Sequence, residues 1–174
     1  MIIQKRLSYW RVHHKLKNSA FQPLETAVSN TQQVAVLFNA NHIDQQKTVL
    51  EFEKTLKDEM GYKAYLLGFI NRKLNKNISF GFKHVSVSDI DKWWLLSGKT
   101  WDLFQQKIYF IVISLNVPQN LMLDWMSFQL KSAHKIGVQP MYPAIYDIVI
   151  DPESPGNLED AIAKSLDIFE RIIR

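Results

Sequence analysis

Residues 1–17 hold Lys5, Arg6, Arg11, Lys15 and Lys17 beside Tyr9 and Trp10, and contain no acid. Guanidinium groups pair bidentately with phosphate, and bases stack on aromatic faces. Lys5, Arg6, Trp10, Arg11, Lys15 and Lys17 therefore have the chemistry of an anion-docking face. The whole chain carries 21 Lys+Arg and 17 Asp+Glu. Once those five cations are set aside, 16 meet 17 acids, so the net charge of +4 is an N-terminal property. A solvated helix ordinarily mixes signs. Three partners fit a face of one sign: RNA or a ribonucleoprotein, an anionic membrane surface, or an acidic protein. RNA is the first expectation and membrane the second. The competing expectation is a basic strap docked onto its own domain.

A second set lies where strands end. Asn39, Asn41 and Asp44 follow VAVLFNA, Asn71 and Arg72 follow YKAYLLGFIN, Ser114 and Asn116 end YFIVISLN, and Gln139 ends HKIGVQP. In open α/β sheets ligands bind beyond the carboxyl ends of strands. Asn39, Asn41, Asp44, Ser114 and Asn116 are thus the candidate ligand pocket. Asn and Asp are also ordinary caps and turn formers at such places, and that is the expectation for Asp44 and Asn116. No G-x-G-x-x-G and no Walker loop occurs, which argues against a phosphate cradle made of backbone. The five histidines follow no ligand spacing, no cysteine is present, and no nucleophile elbow occurs. No metal, no cofactor and no catalytic residue is expected from these patterns. Asp89 and Asp91 form a D-x-D pair, read as the acidic first turn of a helix. Trp93, Trp94, Trp101 and Phe104, interleaved with Lys92 and Lys99, read as core with a stacking platform as the alternative.

These groups need a scaffold. Ile3, Leu7, Trp10 and His14 recur at helical spacing and predict a helix over 2–17, with Ile2, Tyr9 and Val12 broadening its apolar side. Residues 18–33, with Pro23, read as a linker or a strap over the domain. Val34 opens the domain proper, so the division is 1–33 for basic helix and linker and 34–174 for one α/β domain that folds without the helix. VAVLFNA (34–40), a helix over 44–60 closed by Gly61, and YKAYLLGFIN (62–71) make a β–α–β unit, the connection that parallel strands need. FGFKHVSV (80–87) reads as a third strand, with two short helices in 88–106 broken at Ser97-Gly98. Tyr109–Leu115 is the fourth strand, adjacent and parallel to Val34–Ala40 at the sheet centre, since these runs are apolar enough to be covered on both faces. A helix runs from Pro118 to Ala133, HKIGVQP (134–140) is a fifth strand, and AIYDIVID (144–151) is an antiparallel or edge strand. The last helix starts near Asn157, its cap. The alternation implies a three-layer α/β sandwich with a mostly parallel sheet of five or six strands. No secretory segment and no apolar run of spanning length is seen, and a cytoplasmic protein is expected.

The order of these segments resembles an uncharacterised family of small Bacteroidota proteins recorded as a domain of unknown function. The resemblance rests on VAVLFNA, YKAYLLGFIN, the stretch Phe82–Trp93, YFIVISL, SAHKIGV (132–138) and YDIVI (146–150). It implies a cytoplasmic bacterial Rossmann-like domain and no particular activity. Two functions are therefore expected: a non-enzymatic scaffold that docks on RNA through helix 2–17, or a small-molecule or sugar-nucleotide binder, such as a transferase, that uses the strand ends.

Overall fold

The computed structural model describes residues 2–22, 32–74, 79–91, 95–151 and 157–173, with side chains described from Trp10 onward in the first of these segments. The chain runs α1 (Ile2–Lys17), β1 (Gln33–Asn39), α2 (Ile43–Lys54), β2 (Lys63–Ile70), β3 (Lys83–Ser86), α3 (Lys99–Gln105), β4 (Ile108–Leu115), α4 (Leu121–Gln129), β5 (Lys131–Val138), β6 (Ile148–Ile150) and α5 (Leu158–Ile173). The six strands form one sheet in the order β3-β2-β1-β4-β5-β6, and every pairing is parallel. β1 and β4 are neighbours at the centre, with Val34↔Ile111 through Phe38↔Leu115 in register. Their apolar runs suit this place because the sheet is covered on both sides.

One face carries α1, α3 and α4. Val12, Leu16, Trp101, Phe104, Leu121, Met122 and Trp125 pack there on Ala35, Leu37, Leu67, Phe69 and Val112. The other face carries α2 and α5, whose Val49, Phe52, Leu56, Ala161, Ile162 and Phe169 cover Val34, Val36, Phe38, Ile111 and Ile113. α2 continues through a π turn, Thr55–Glu59. It ends at Gly61, whose φ of +73° only a residue without Cβ adopts readily. Asn157 Oδ1 accepts from the backbone N–H groups of Glu159 and Asp160, the cap expected for α5.

Several boundaries differ from the sequence reading. β6 is an edge strand but parallel, not antiparallel, because residues 139–147 carry the chain back before Ile148 pairs with Ile136. α4 starts at Leu121 rather than Pro118, and the cap is Asn120, whose Oδ1 accepts from Met122 N–H. It stops at Gln129 rather than Ala133. Lys131 and Ser132 pair with Ile108 and Tyr109, so strand pairing takes residues that helical periodicity would have kept. Asp89 closes a 3-10 turn, Val87–Asp89, and its carboxylate accepts from the N–H and Oγ of Ser86. Lys92, Trp93 and Trp94 lie outside the described residues. Trp101 and Phe104 are core.

The side of α1 that meets the domain is set by two residues. Val12 and Leu16 are buried, whereas Trp10 is 59% exposed and His14 is exposed. Trp10 and His14 therefore face solvent, and the side chains of Ile3 and Leu7 lie outside the described residues. The facing surface of α4 selects Val12 and Leu16, and Tyr142 takes His13 edge-on at 5.1 Å. The C-terminal half of α1 is part of the core layer rather than an appendage.

Candidate functional site

On α1, docking through Val12 and Leu16 turns Trp10, Arg11, His14 and Lys17 toward solvent. Trp10 lies over His14 with ring centroids 5.1 Å apart. Lys15 is exposed as well, and its Nζ lies 5.5 Å from the ring centres of both Trp125 and Phe128 on α4. His13 Nε2 meets the Tyr142 hydroxyl at 3.2 Å. The side chains of Lys5 and Arg6 lie outside the described residues.

The strand-end residues separate into two groups. Asn39 Oδ1 accepts from the side-chain amide of Asn41. Asn41 Oδ1 in turn accepts from Asn71 N–H at 2.9 Å, which ties the ends of β1 and β2 together. Asp44 is exposed in the first turn of α2, where a negative charge suits the helix dipole. Ser114 and Asn116 are fully buried on the α4 side. The crevice between β1 and β4, where strand order reverses, is bridged by Gln45 Nε2 donating to Val117 O at 3.2 Å. The five candidate pocket residues do not converge on one cleft.

Asn116 belongs to a buried network centred on Asp124, which sequence reasoning did not single out. Asp124 is fully buried. Its Oδ1 accepts from Asn116 Nδ2 at 3.0 Å and from the Tyr146 hydroxyl at 2.8 Å. Its Oδ2 accepts from Met141 N–H at 2.7 Å and Tyr142 N–H at 3.0 Å. Asn116 Oδ1 accepts from Asn120 N–H at 2.6 Å. Burial pushes the Asp124 carboxyl up to about 6, while Tyr146, Met141 and Asn116 pull it down. Burial, and then Asp124 itself, hold the Tyr146 phenol well above its ordinary range. Asn116 is therefore a strut, not a helix cap. The signal in the sequence was the lone acid in LMLDWM, an acid within the apolar run that opens α4.

Lys135 was missed as well. It is 7% exposed, and its Nζ donates to the carbonyls of Ser127 at 2.6 Å and Phe128 at 3.2 Å, in the last turn of α4. Burial lowers it to about 8, against the pull of Asp147. A lysine amid strand residues, KSAHKIGV, was its only mark.

A cleft of about 420 Å³ opens at the strand carboxyl ends, between Phe69 of β2 and the following Asn71, Val87 and Ile90 after β3, and the cap Asn120 with Leu121 and Met122 of α4. Of the strand-end residues singled out in the sequence it is lined by Asn71, and by none of Asn39, Asn41, Asp44, Ser114 and Asn116. Among the described residues no three His, Asp or Glu converge as a metal would need, and no helix is long and apolar enough to cross a membrane.

No curated protein and no solved structure matches the chain. A family model does match, described as a family of unknown function, DUF6913, over residues 4–168, and the chain belongs to that family.

Proposed function

We propose that this protein is a non-enzymatic cytoplasmic scaffold, of bacterial origin, that docks on RNA or a ribonucleoprotein through α1. The observation that carries the reading is how α1 is held. Val12 and Leu16 anchor it, and the anchoring turns Trp10, Arg11 and Lys17 outward along a helix whose residues 1–17 include no acid. Phosphate contacts of this kind position a protein without reading sequence. The strand order, that of doubly wound sheets, supports a Rossmann-like three-layer scaffold. The Gln45–Val117 bridge across the crevice favours structure over ligand at that point. Affinity purification of the tagged full chain, with and without nuclease, tests the proposal. RNA-linked partners that vanish on nuclease treatment are expected. Partners that persist unchanged would replace RNA with an acidic protein face.

The cleft between Phe69 and Met122 favours a second reading, a small-molecule or sugar-nucleotide binder. Its volume falls in the range of small-ligand pockets. On that reading Asn71 and Asn120 replace Ser114 and Asn116 as ligand contacts.

A further inference from the structure

A second cleft, of about 400 Å³, lies on the α4 face of β5. Its walls are the segment from Asn18 to Gln22, the end of α4, and Lys131, Ser132 and Lys135. Phe21 N–H donates to Ala144 O at 2.7 Å and pins the outer wall.

Ser132 and Lys135 are three residues apart, which puts side chains on opposite faces of a regular strand. The β4–β5 pairing is not regular here. It runs through Tyr109↔Ser132, skips Phe110 and Ala133, and resumes at Ile111↔His134. Across the skip Tyr109 belongs to one core layer and Ile111 to the other. The alternation shifts by one residue, and Ser132 and Lys135 come to line the same cleft.

Two buried polar atoms of that lining have no hydrogen-bond partner: Ser132 Oγ and Gln129 Nε2. Ser132 is 2% exposed. The other amide atom of Gln129, Oε1, is satisfied by Gln105. Buried polar atoms are paired in the great majority of folded proteins, so two orphans at one cleft call for a missing partner. Lys135 Nζ spends two of its protons on Ser127 and Phe128 and carries a third. The lining includes two lysines and no acid. All three groups can donate, which fits an anion with three oxygens better than a carboxylate with two.

We propose that this cleft is a site for a phosphate monoester, held by Ser132 Oγ, Gln129 Nε2 and Lys135 Nζ. The monoester is either a free small phosphate ester or the phosphorylated end of a nucleic-acid strand. The site uses neither Trp10, Arg11 nor Lys17, so it and the docking face can fail separately.

The test is calorimetric titration of the full chain with inorganic phosphate, then with a short oligoribonucleotide bearing a 5′-phosphate or a 5′-hydroxyl. Ser132→Ala and Gln129→Met remove one donor each, and melting curves verify folding. Lys135→Met is a third variant, read only if it folds, because Lys135 also holds the end of α4. Saturable phosphate binding is expected, weakened about tenfold or more in each single variant with unchanged melting, as for loss of a hydrogen bond to a charged group. A 5′-phosphate gain over the hydroxyl twin, abolished by Ser132→Ala, identifies a nucleic-acid end. Phosphate binding without that gain identifies a small ester. Absence of saturable phosphate binding, or variants that bind as the wild type does, overturns the site and leaves water as the partner of the orphaned atoms.

Discussion

The Tyr146 hydroxyl donates to Asp124 Oδ1 across 2.8 Å, and this bond joins the β5–β6 connection to the middle of α4. The same carboxylate holds the backbone at Met141 and Tyr142, and Tyr142 reaches His13 on α1. One buried acid thus organises the chain segment against which α1 docks.

Tyr146→Phe removes that bond while keeping the ring. At pH 7.5 it is expected to lower unfolding free energy by about 1.5–3 kcal/mol, the range for a hydrogen bond to a charged group. Asn116→Ala is expected to cost at least as much, since it also strips Asn120 N–H of its acceptor. Urea titrations of both variants measure this. A loss of about 1 kcal/mol or less, the typical worth of a helix cap, would return Asn116 to a capping role.

The Asp124 carboxyl sits at about 6 in the folded chain against an ordinary 3.8. Between those values the folded state keeps a proton that the unfolded state has released, so the contribution is full below about pH 4 and is lost as pH rises through about 6. The loss is on the order of 3 kcal/mol. Asp124→Asn has no such proton. The stability difference between wild type and variant should therefore shrink from about pH 4 to about pH 6 and level off by about pH 7.5 in parallel urea titrations. A difference independent of pH would mean the four donors outweigh burial.

Leu16 is fully buried among the α4 side chains. Leu16→Ala is expected to cost about 2–5 kcal/mol, as buried leucine truncations do. Deletion of residues 1–17 removes Val12 and Leu16 together and should lower the melting temperature sharply rather than leave an intact domain. Calorimetry decides between the two. A deletion that melts as the full chain does would restore the view of α1 as an appendage.

A Cβ at Gly137 would lie 2.7 Å from Tyr146 Cγ and 2.8 Å from both Cδ atoms. No real Cβ sits so close, so Gly137→Ala must push the ring and strain its bond to Asp124. We expect destabilisation of about 1–3 kcal/mol, the scale of overpacking. Combined with Tyr146→Ala the glycine substitution should cost far less than it does alone, a coupling that a double-mutant cycle reads directly.

Charge reversal of Arg11 and Lys17 bears on the docking face. Both are exposed, and exposed substitutions seldom move stability by more than about 0.5 kcal/mol. If both contact single-stranded RNA, the double variant should flatten the log–log salt dependence of binding by about 1.4, from roughly 0.7 per phosphate. Five contacts in the native helix would give a slope of about −3.5 on the same basis. Binding insensitive to salt would dismiss electrostatic docking.

The sequence by itself determined the parallel core. VAVLFNA and YFIVISL are apolar without alternation, which only strands covered on both faces require, and they are the central pair. It determined the ends of α2 and α5 too, because Gly61 and Asn157 act on groups a few residues away. It also located all the surplus charge in residues 1–17. Tertiary structure decided the rest. Several apolar residues of α1 offered alternative inward faces, and α4 chose Val12 and Leu16 while leaving Trp10 outside. Lys131 and Ser132 continued the helical pattern of α4, yet pairing with Ile108 and Tyr109 made them strand. Asp124, Asn116 and Tyr146 stand far apart in sequence, and Ser132 and Lys135 share a cleft only because the alternation slips at Phe110 and Ala133. Local propensity acts over a few residues, whereas a buried carboxylate and a shifted strand face are set by partners distant in the chain.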